Sequence, residues 1–181
     1  MLMDQPFSWD RVRGLLGLPY RDLRIREVFA DAKLDPDAIW RELRVGIYSM
    51  PPRDREPSPL AEIDLIPIHH VRFRFKHAGL VVGAKTEVPT VFVLAAVTYF
   101  LESQKPEGRF SGSLPLGILA TDEPESIIER VGAPPTHLEA GTEDGYMVWE
   151  DRNPRLHVLF STPEKRPLRV NVFLAPSEAE G

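Results

Sequence analysis

Cysteine and long apolar runs are both missing from this sequence of 181 residues. Without cysteine there can be no disulfide bond, no thiolate zinc site and no cysteine nucleophile. The longest apolar stretch, residues 91–101, is shorter than the roughly 18 residues that a membrane-spanning helix needs. The opening residues, MLMDQPFSWD, lack the basic and apolar regions of a secretory signal. We therefore expect a cytoplasmic protein that contacts no membrane.

Familiar catalytic and nucleotide-binding motifs are missing as well. The sequence contains no G-x-S-x-G, G-x-x-x-x-G-K-[ST], G-x-G-x-x-G or H-E-x-x-H pattern. On a strand, His69 and His70 would point to opposite faces, and His77 would lie too far from His69 to share a metal ion. The carboxylates near Asp122 fit the solvated start of a helix. The sequence thus predicts no catalytic residue, no cofactor and no metal site, and it does not predict an enzyme.

Positive charge is not in excess, since the formal net charge is -5. This balance argues against nonspecific nucleic-acid binding. The hydrophobic fraction of 43% and the charged fraction of 27% are ordinary for a globular protein, and the chain is long enough for one sizeable core. We predict a single compact domain over 1–181; if the chain is divided, its halves would be 8–104 and 105–176.

The stretch from Phe110 to Pro135 predicts the start of a unit in which a helix is followed by strands. Thr121 or Asp122 would cap the helix, with Pro124 in its first turn. Gly132 would end the helix in the left-handed conformation. The apolar positions of this helix recur at helical spacing, which predicts one buried face.

Alternating apolar and polar residues predict strands on both sides of this helix. In residues 69–76, for example, Phe73 and Phe75 share one face while basic side chains occupy the other. The predicted helices are residues 8–17 and 23–32, with a helical turn from 35. The predicted strands are 45–48, 69–76, 80–84, 91–101, 146–150, 156–160 and 168–174, and residues 49–59 and 103–109 are predicted loops. Residues 91–101 are almost wholly apolar, which predicts a central strand covered on both faces.

These elements predict an α+β fold with antiparallel β-meanders packed against short helices. The sequences Gly17-Leu18-Pro19 and Gly132-Ala133-Pro134 each follow a helix and precede three predicted strands. The two halves would then be diverged helix-plus-three-strand repeats whose meanders join in one antiparallel sheet, with helices on one face. The alternative is that the two segments are not repeats, because Gly-x-Pro commonly ends a helix in unrelated sequences.

Residues 121–151 are strongly acidic, with nine Asp or Glu and Arg130 as the only Lys or Arg. Such a surface could dock a basic partner, and aromatic residues often anchor interfaces. Tyr146 and Trp149 would lie on opposite strand faces, so that one could anchor a partner while the other is core. The predicted partner-binding residues are Glu139, Glu143, Asp144, Tyr146, Trp149 and Glu150. Alternatively, the acids only solvate a helix and a loop, and both aromatics are buried.

One run, FSGSLPLGILATDEPESIIERVGAP, resembles a bacterial family encoded beside polymorphic or contact-dependent toxin genes and regarded as immunity proteins. The shared pattern is G-x-L-P-x-G, a short acidic stretch, an amphipathic helix and a [LV]-G-x-P turn before a β-meander. The early L-L-G-L-P is similar to the start of such proteins. The same unit also resembles small lipoproteins of the outer-membrane assembly machinery, although those carry a signal peptide and a lipobox cysteine, which this sequence lacks.

The first resemblance implies a cytoplasmic immunity protein that binds a cognate toxin or effector domain and occludes its active site. The acidic region would then face a basic cleft of the toxin. The resemblance implies no catalytic residue in this protein. Two other functions stay open: a chaperone or adaptor that leaves the effector active, and an enzyme of unrecognised type with His69 or His157 in a pocket beside carboxylates.

Overall fold

The computed structural model describes residues 5–41, 60–102 and 109–177. In these residues the fold is α+β, with one antiparallel sheet of seven strands and short helices. The helices are α1 (Trp9–Val12), α2 (Leu23–Asp31), α3 (36–41, at the border of the described range), α4 (Ile66–His69) and α5 (Pro124–Val131). The strands are β1 (Leu60–Asp64), β2 (Val71–His77), β3 (Phe92–Phe100), β4 (His137–Ala140), β5 (Asp144–Trp149), β6 (Arg155–Ser161) and β7 (Arg166–Phe173).

Two meanders join to make the sheet, whose strand order is β1-β2-β3-β7-β6-β5-β4. Strands β1 to β3 form the first meander and β4 to β7 the second, and β3 pairs with β7 between them. The prediction of one joined antiparallel sheet is therefore confirmed. Strand β3 is interior to the sheet, and every residue after Phe92 in it is buried, as the apolar run predicts.

One face of the sheet forms the core, and we call it the covered face. A row of directly paired residues crosses five strands on this face: Phe73, Val97, Val172, Leu156 and Trp149. Each of them is at most 3% exposed. Alternation sends the neighbouring residues of each strand to the opposite side, which we call the open face, where many side chains are only half-buried.

Aromatic side chains from the N-terminal region pack on the covered face. The rings of Phe7 and Phe29 lie 5.1 and 5.4 Å from the ring of Phe73, measured between centroids. At the other end of the sheet, the indole of Trp149 donates a hydrogen bond to the carbonyl of Ala133, just after α5. Helical segments therefore cover this face at both ends, as the fold prediction required.

The helix that begins at Pro124 differs from the prediction at its start and agrees at its end. Its N-cap is Glu123, which makes no side-chain capping bond, so neither Thr121 nor Asp122 caps it. Asp122 instead accepts hydrogen bonds from the Leu119 amide at 2.8 Å and from Arg130 Nε at 2.7 Å. This 8%-exposed carboxylate therefore ties the preceding loop to the helix. Gly132 ends the helix with φ of 75°, as predicted.

One predicted strand was wrong, another begins later than predicted, and two strands were missed. Residues 80–84 form no strand, because 78–80 make a 3-10 turn and Val81 makes only an isolated bridge with Pro176. His69 belongs to α4 rather than to the strand that follows it. Strands β1 and β4 were not predicted. The predicted strand 45–48, the loop 49–59 and most of the loop 103–109 lie outside the described residues.

Candidate functional site

Four of the predicted partner-binding carboxylates lie on one hairpin at an edge of the sheet. Strands β4 and β5 form this hairpin, which we call the acidic hairpin (residues 137–150). The side chains of Glu139, Glu143, Asp144 and Glu150 are all exposed on it. The sequence was thus sufficient to predict the acidic character of this surface, and the hairpin brings its charges together.

Few positively charged groups of the described structure lie close to these carboxylates. Within residues 5–41, 60–102 and 109–177, none of the four forms an ion pair with Lys or Arg. Glu150 lies 3.5 Å from His137 Nε2, and Glu139 accepts a hydrogen bond of 2.7 Å from the Tyr146 hydroxyl. That hydrogen bond to the Glu139 carboxylate raises the pKa of Tyr146. The hairpin consequently presents its negative charge to solvent.

The two aromatic candidates on β5 have different environments. Trp149 is 0% exposed, and its Nε1 donates to the carbonyl oxygen of Ala133 at 2.9 Å. Its assignment as a partner-binding residue was therefore wrong, because a fully buried indole cannot touch a docked protein. Tyr146 lies on the open face, partly exposed, with its ring 5.8 Å from the His157 ring in an edge-on arrangement. It is the aromatic residue of the acidic hairpin that a partner could reach.

The backbone of the acidic hairpin is also accessible. Strand β4 is the outermost strand on its side of the described sheet, and all four of its residues are exposed. Leu138 in this strand is 58% exposed, an unusual position for a large apolar side chain. An open edge strand offers unpaired backbone donors and acceptors to another chain.

A second feature, a groove of about 360 Å³, lies mainly on the open face. The register places Arg74, Ala96, Phe173 and Arg155 in one row across β2, β3, β7 and β6. The groove is lined by Arg74, Lys76, Ala95, Ala96, Arg155, Asn171, Phe173, Leu174 and Pro176. We call it the open-face groove. Its charged lining residues are all basic.

The basic residues of the groove differ in how they are held. Arg74 Nε lies 2.8 Å from Glu62, which also lies 3.1 Å from Arg72. Arg155 has no ion pair with any part of the chain that is described, and its Nε is shielded from solvent without a hydrogen-bond partner. His157, next along the same face of β6, has a pKa lowered by burial, and its Nε2 also lacks a partner.

Sequence reasoning anticipated only part of this groove. The alternation of β2 predicted a basic outer face that includes Arg74 and Lys76. The contribution of Arg155 and Phe173 could not be predicted, because it depends on the pairing of β3 with β7. The sequence signal available was the alternation of β6, which places Arg155 and His157 on the face opposite Leu156.

The two histidines considered for catalysis lie in different parts of the molecule. The ring of His69 packs edge-on against Phe7, 5.0 Å between centroids, and burial is the main cause of its lowered pKa. His157 lies on the open face. In the described ranges, no group of three His, Cys, Asp or Glu residues could hold a metal ion. No helix there has the length and apolar character needed to cross a membrane.

Comparison with known proteins does not assign the chain to a family. No family model matches it, and no curated protein matches it. A solved structure that it resembles is that of a DUF4309 family protein, YjgB, from Bacillus subtilis subsp. subtilis str. 168. The two share 13% sequence identity with a TM-score of 0.35, over 72% of this chain and 75% of that one. A likeness this distant carries no argument about function.

Proposed function

We propose that this protein binds and neutralises a cognate toxin or effector domain, with its acidic hairpin docked in a basic cleft. The observation that carries the proposal is the group of four exposed carboxylates on an open edge hairpin, unpaired with Lys or Arg throughout the described residues. Such a surface suits a partner of opposite charge. Occlusion of the partner's active site would make the protein an inhibitor.

Electrostatic attraction would act mainly on the encounter with the partner. Complementary potentials raise association rates and specificity more than they raise affinity, and salt weakens them. Glu143 and Asp144 lie at the turn end of the acidic hairpin, where they would meet a basic cleft first.

Affinity would come from the uncharged groups of the same hairpin. Tyr146 offers an aromatic ring that Glu139 holds by a hydrogen bond, and partly buried aromatic residues often dominate binding energy. Leu138 adds exposed apolar area, and the free edge of β4 could pair with a strand of the partner. In this proposal the exposed carboxylates, the Tyr146 ring and the unpaired edge of β4 together form the docking surface.

The inhibitory role has separate support in the sequence. Residues 110–135 resemble the immunity proteins described above, which are regarded as inhibitors of neighbouring toxins. In the structure these residues form the loop and helix that precede the acidic hairpin. Residues 110–135 are thus followed directly by the acidic hairpin in the chain. The two segments are in contact where the Trp149 indole donates a hydrogen bond to the carbonyl of Ala133.

The test compares two double variants with the same change in net charge. Glu143→Lys with Asp144→Lys reverses charge on the acidic hairpin, whereas Glu27→Lys with Glu87→Lys reverses it at exposed sites elsewhere. Wild type and both variants are tagged and used to capture proteins from a lysate of the source organism. The captured protein is then purified, and its affinity is measured at low and high salt.

We expect the hairpin variant to bind more weakly, with a reduced dependence on salt, while the control variant binds like wild type. We also expect the captured protein to lose its activity in the complex. A partner that stays fully active would favour the chaperone or adaptor instead. Unchanged affinity and salt dependence in the hairpin variant would refute the proposed docking surface.

A further inference from the structure

We propose that the open-face groove is a second binding site, for a small molecule that joins an oxyanion group to a flat apolar body. The site is distinct from the acidic hairpin and does not depend on the proposed inhibitory function. Its volume of about 360 Å³ falls in the range of small-molecule pockets.

The register of the sheet sets two arginines opposite each other. Arg74 on β2 and Arg155 on β6 belong to the same row, with Ala96 and Phe173 between them. Three strand spacings of about 4.8 Å separate their backbones by about 14 Å. Two arginine side chains that rise from opposite sides of such a floor can both reach a ligand lying between them.

The floor between these arginines is low and mostly apolar. Ala95 and Ala96 are buried, and the irregular pairing between Arg74 and Phe75 leaves Ala95 as an extra residue in β3. Two consecutive alanines leave room that larger side chains would fill. Phe173 offers a half-buried aromatic ring beside them, so the floor suits a flat apolar group.

Polar groups of the lining are arranged to donate rather than to accept. Arg155 Nε is shielded from solvent and has no hydrogen-bond partner in the described structure, which is costly for a buried donor. Asn171 accepts a hydrogen bond of 2.9 Å from the Thr98 hydroxyl through Oδ1, which leaves its N–H groups as donors. The half-buried Arg155 guanidinium group and the Asn171 amide would donate hydrogen bonds to a phosphate, carboxylate or sulfonate oxygen in the groove.

Local charge favours an anion but not a long polyanion. Arg72 and Arg74 share Glu62, and Arg72 also lies 3.0 Å from Asp64, so these pairs are largely neutralised. Arg155 adds a charge without an ion pair there. Farther along the same face lies Glu139, paired with Tyr146, and the negative charge of this carboxylate would repel an extended nucleic acid. The arrangement therefore points to a compact anion.

The first experiment uses the aromatic sulfonate 8-anilinonaphthalene-1-sulfonate (ANS), whose fluorescence rises on binding, titrated against the full chain. The uncharged analogue N-phenyl-1-naphthylamine tests how much of the binding depends on the anionic group. Arg155→Gln removes the donor that lacks a partner, and Arg13→Gln is the matched control at an exposed arginine. Circular dichroism confirms that each variant is folded.

We expect Arg155→Gln to weaken ANS binding by roughly tenfold, as the loss of a charge-assisted hydrogen bond predicts. Arg13→Gln should bind ANS like wild type, and the uncharged analogue should bind all three proteins equally. Phenyl phosphate should displace ANS from wild type, whereas phenol should not. Equal ANS affinity in Arg155→Gln and wild type, or equal losses in both variants, would overturn the proposal.

Discussion

Replacing Trp149 with alanine tests the assignment of the covered face most directly. Its indole is 0% exposed, and Nε1 donates a hydrogen bond of 2.9 Å to the Ala133 carbonyl. Removing a large buried aromatic side chain costs about 3–5 kcal/mol. Loss of the hydrogen bond adds little, because Ala133 is exposed and water can bind its carbonyl. Against a total stability of about 5–15 kcal/mol, this loss should lower the urea midpoint strongly.

The assay is urea unfolding followed by far-UV circular dichroism, which does not rely on tryptophan emission. Tyr146→Ala is the matched control, because Tyr146 lies on the same strand with its side chain on the open face. We expect it to cost about 1 kcal/mol or less. Trp149→Phe keeps an aromatic ring and should lose less than Trp149→Ala, which leaves a folded variant to measure. Equal losses from Trp149→Ala and Tyr146→Ala would show that the two faces are misassigned.

Two further predictions concern backbone conformation and pH. In thermal unfolding, Gly17→Ala should destabilise the protein more than Gly132→Ala. Both glycines have positive φ, but a Cβ atom added at Gly17 would lie 2.2 Å from the Gly83 carbonyl oxygen. A Cβ atom added at Gly132 would have no atom within 4 Å. For Gly132→Ala we expect a loss of about 1 kcal/mol, and equal losses would contradict the close approach of Gly17. Burial lowers the pKa of His157, so the unfolded chain takes up its proton first as pH falls. Stability should decline as the pH falls through about 6.5, the ordinary pKa of histidine in an unfolded chain, and His157→Gln should reduce that decline in urea unfolding.

Sequence pattern predicted the parts of the fold in which burial alternates along one strand. In β5, β6 and β7 the buried residues recur at every second position over most of each strand, and this alternation is the pattern from which the strands were predicted. The left-handed end of α5 at Gly132 was equally predictable, since a glycine after an apolar helix stripe is a local signal. Local patterns of this kind do not depend on which strands become neighbours.

Strand β1 was missed although Ala61 and Ile63 in it are buried at alternating positions. The other missed strand, β4, lacks such a pattern. All four residues of β4 are exposed, so no apolar alternation announces it, and it exists because it pairs with β5. At residues 80–84 a strand was predicted from apolar residues, but this segment pairs with no strand of the described sheet apart from the isolated bridge at Val81. Strand identity in both places follows from pairing rather than from propensity.

Within the candidate sites, the sequence by itself determined the charge of the acidic hairpin and placed Tyr146 and Trp149 on opposite faces, because both follow from order along the chain. Only the tertiary structure decided which of these aromatics is buried. It alone placed Arg155 in one row with Arg74, through the pairing of β3 with β7. The physical reason is that backbone hydrogen bonds between distant strands carry no residue-specific signal, whereas side-chain alternation within one strand does.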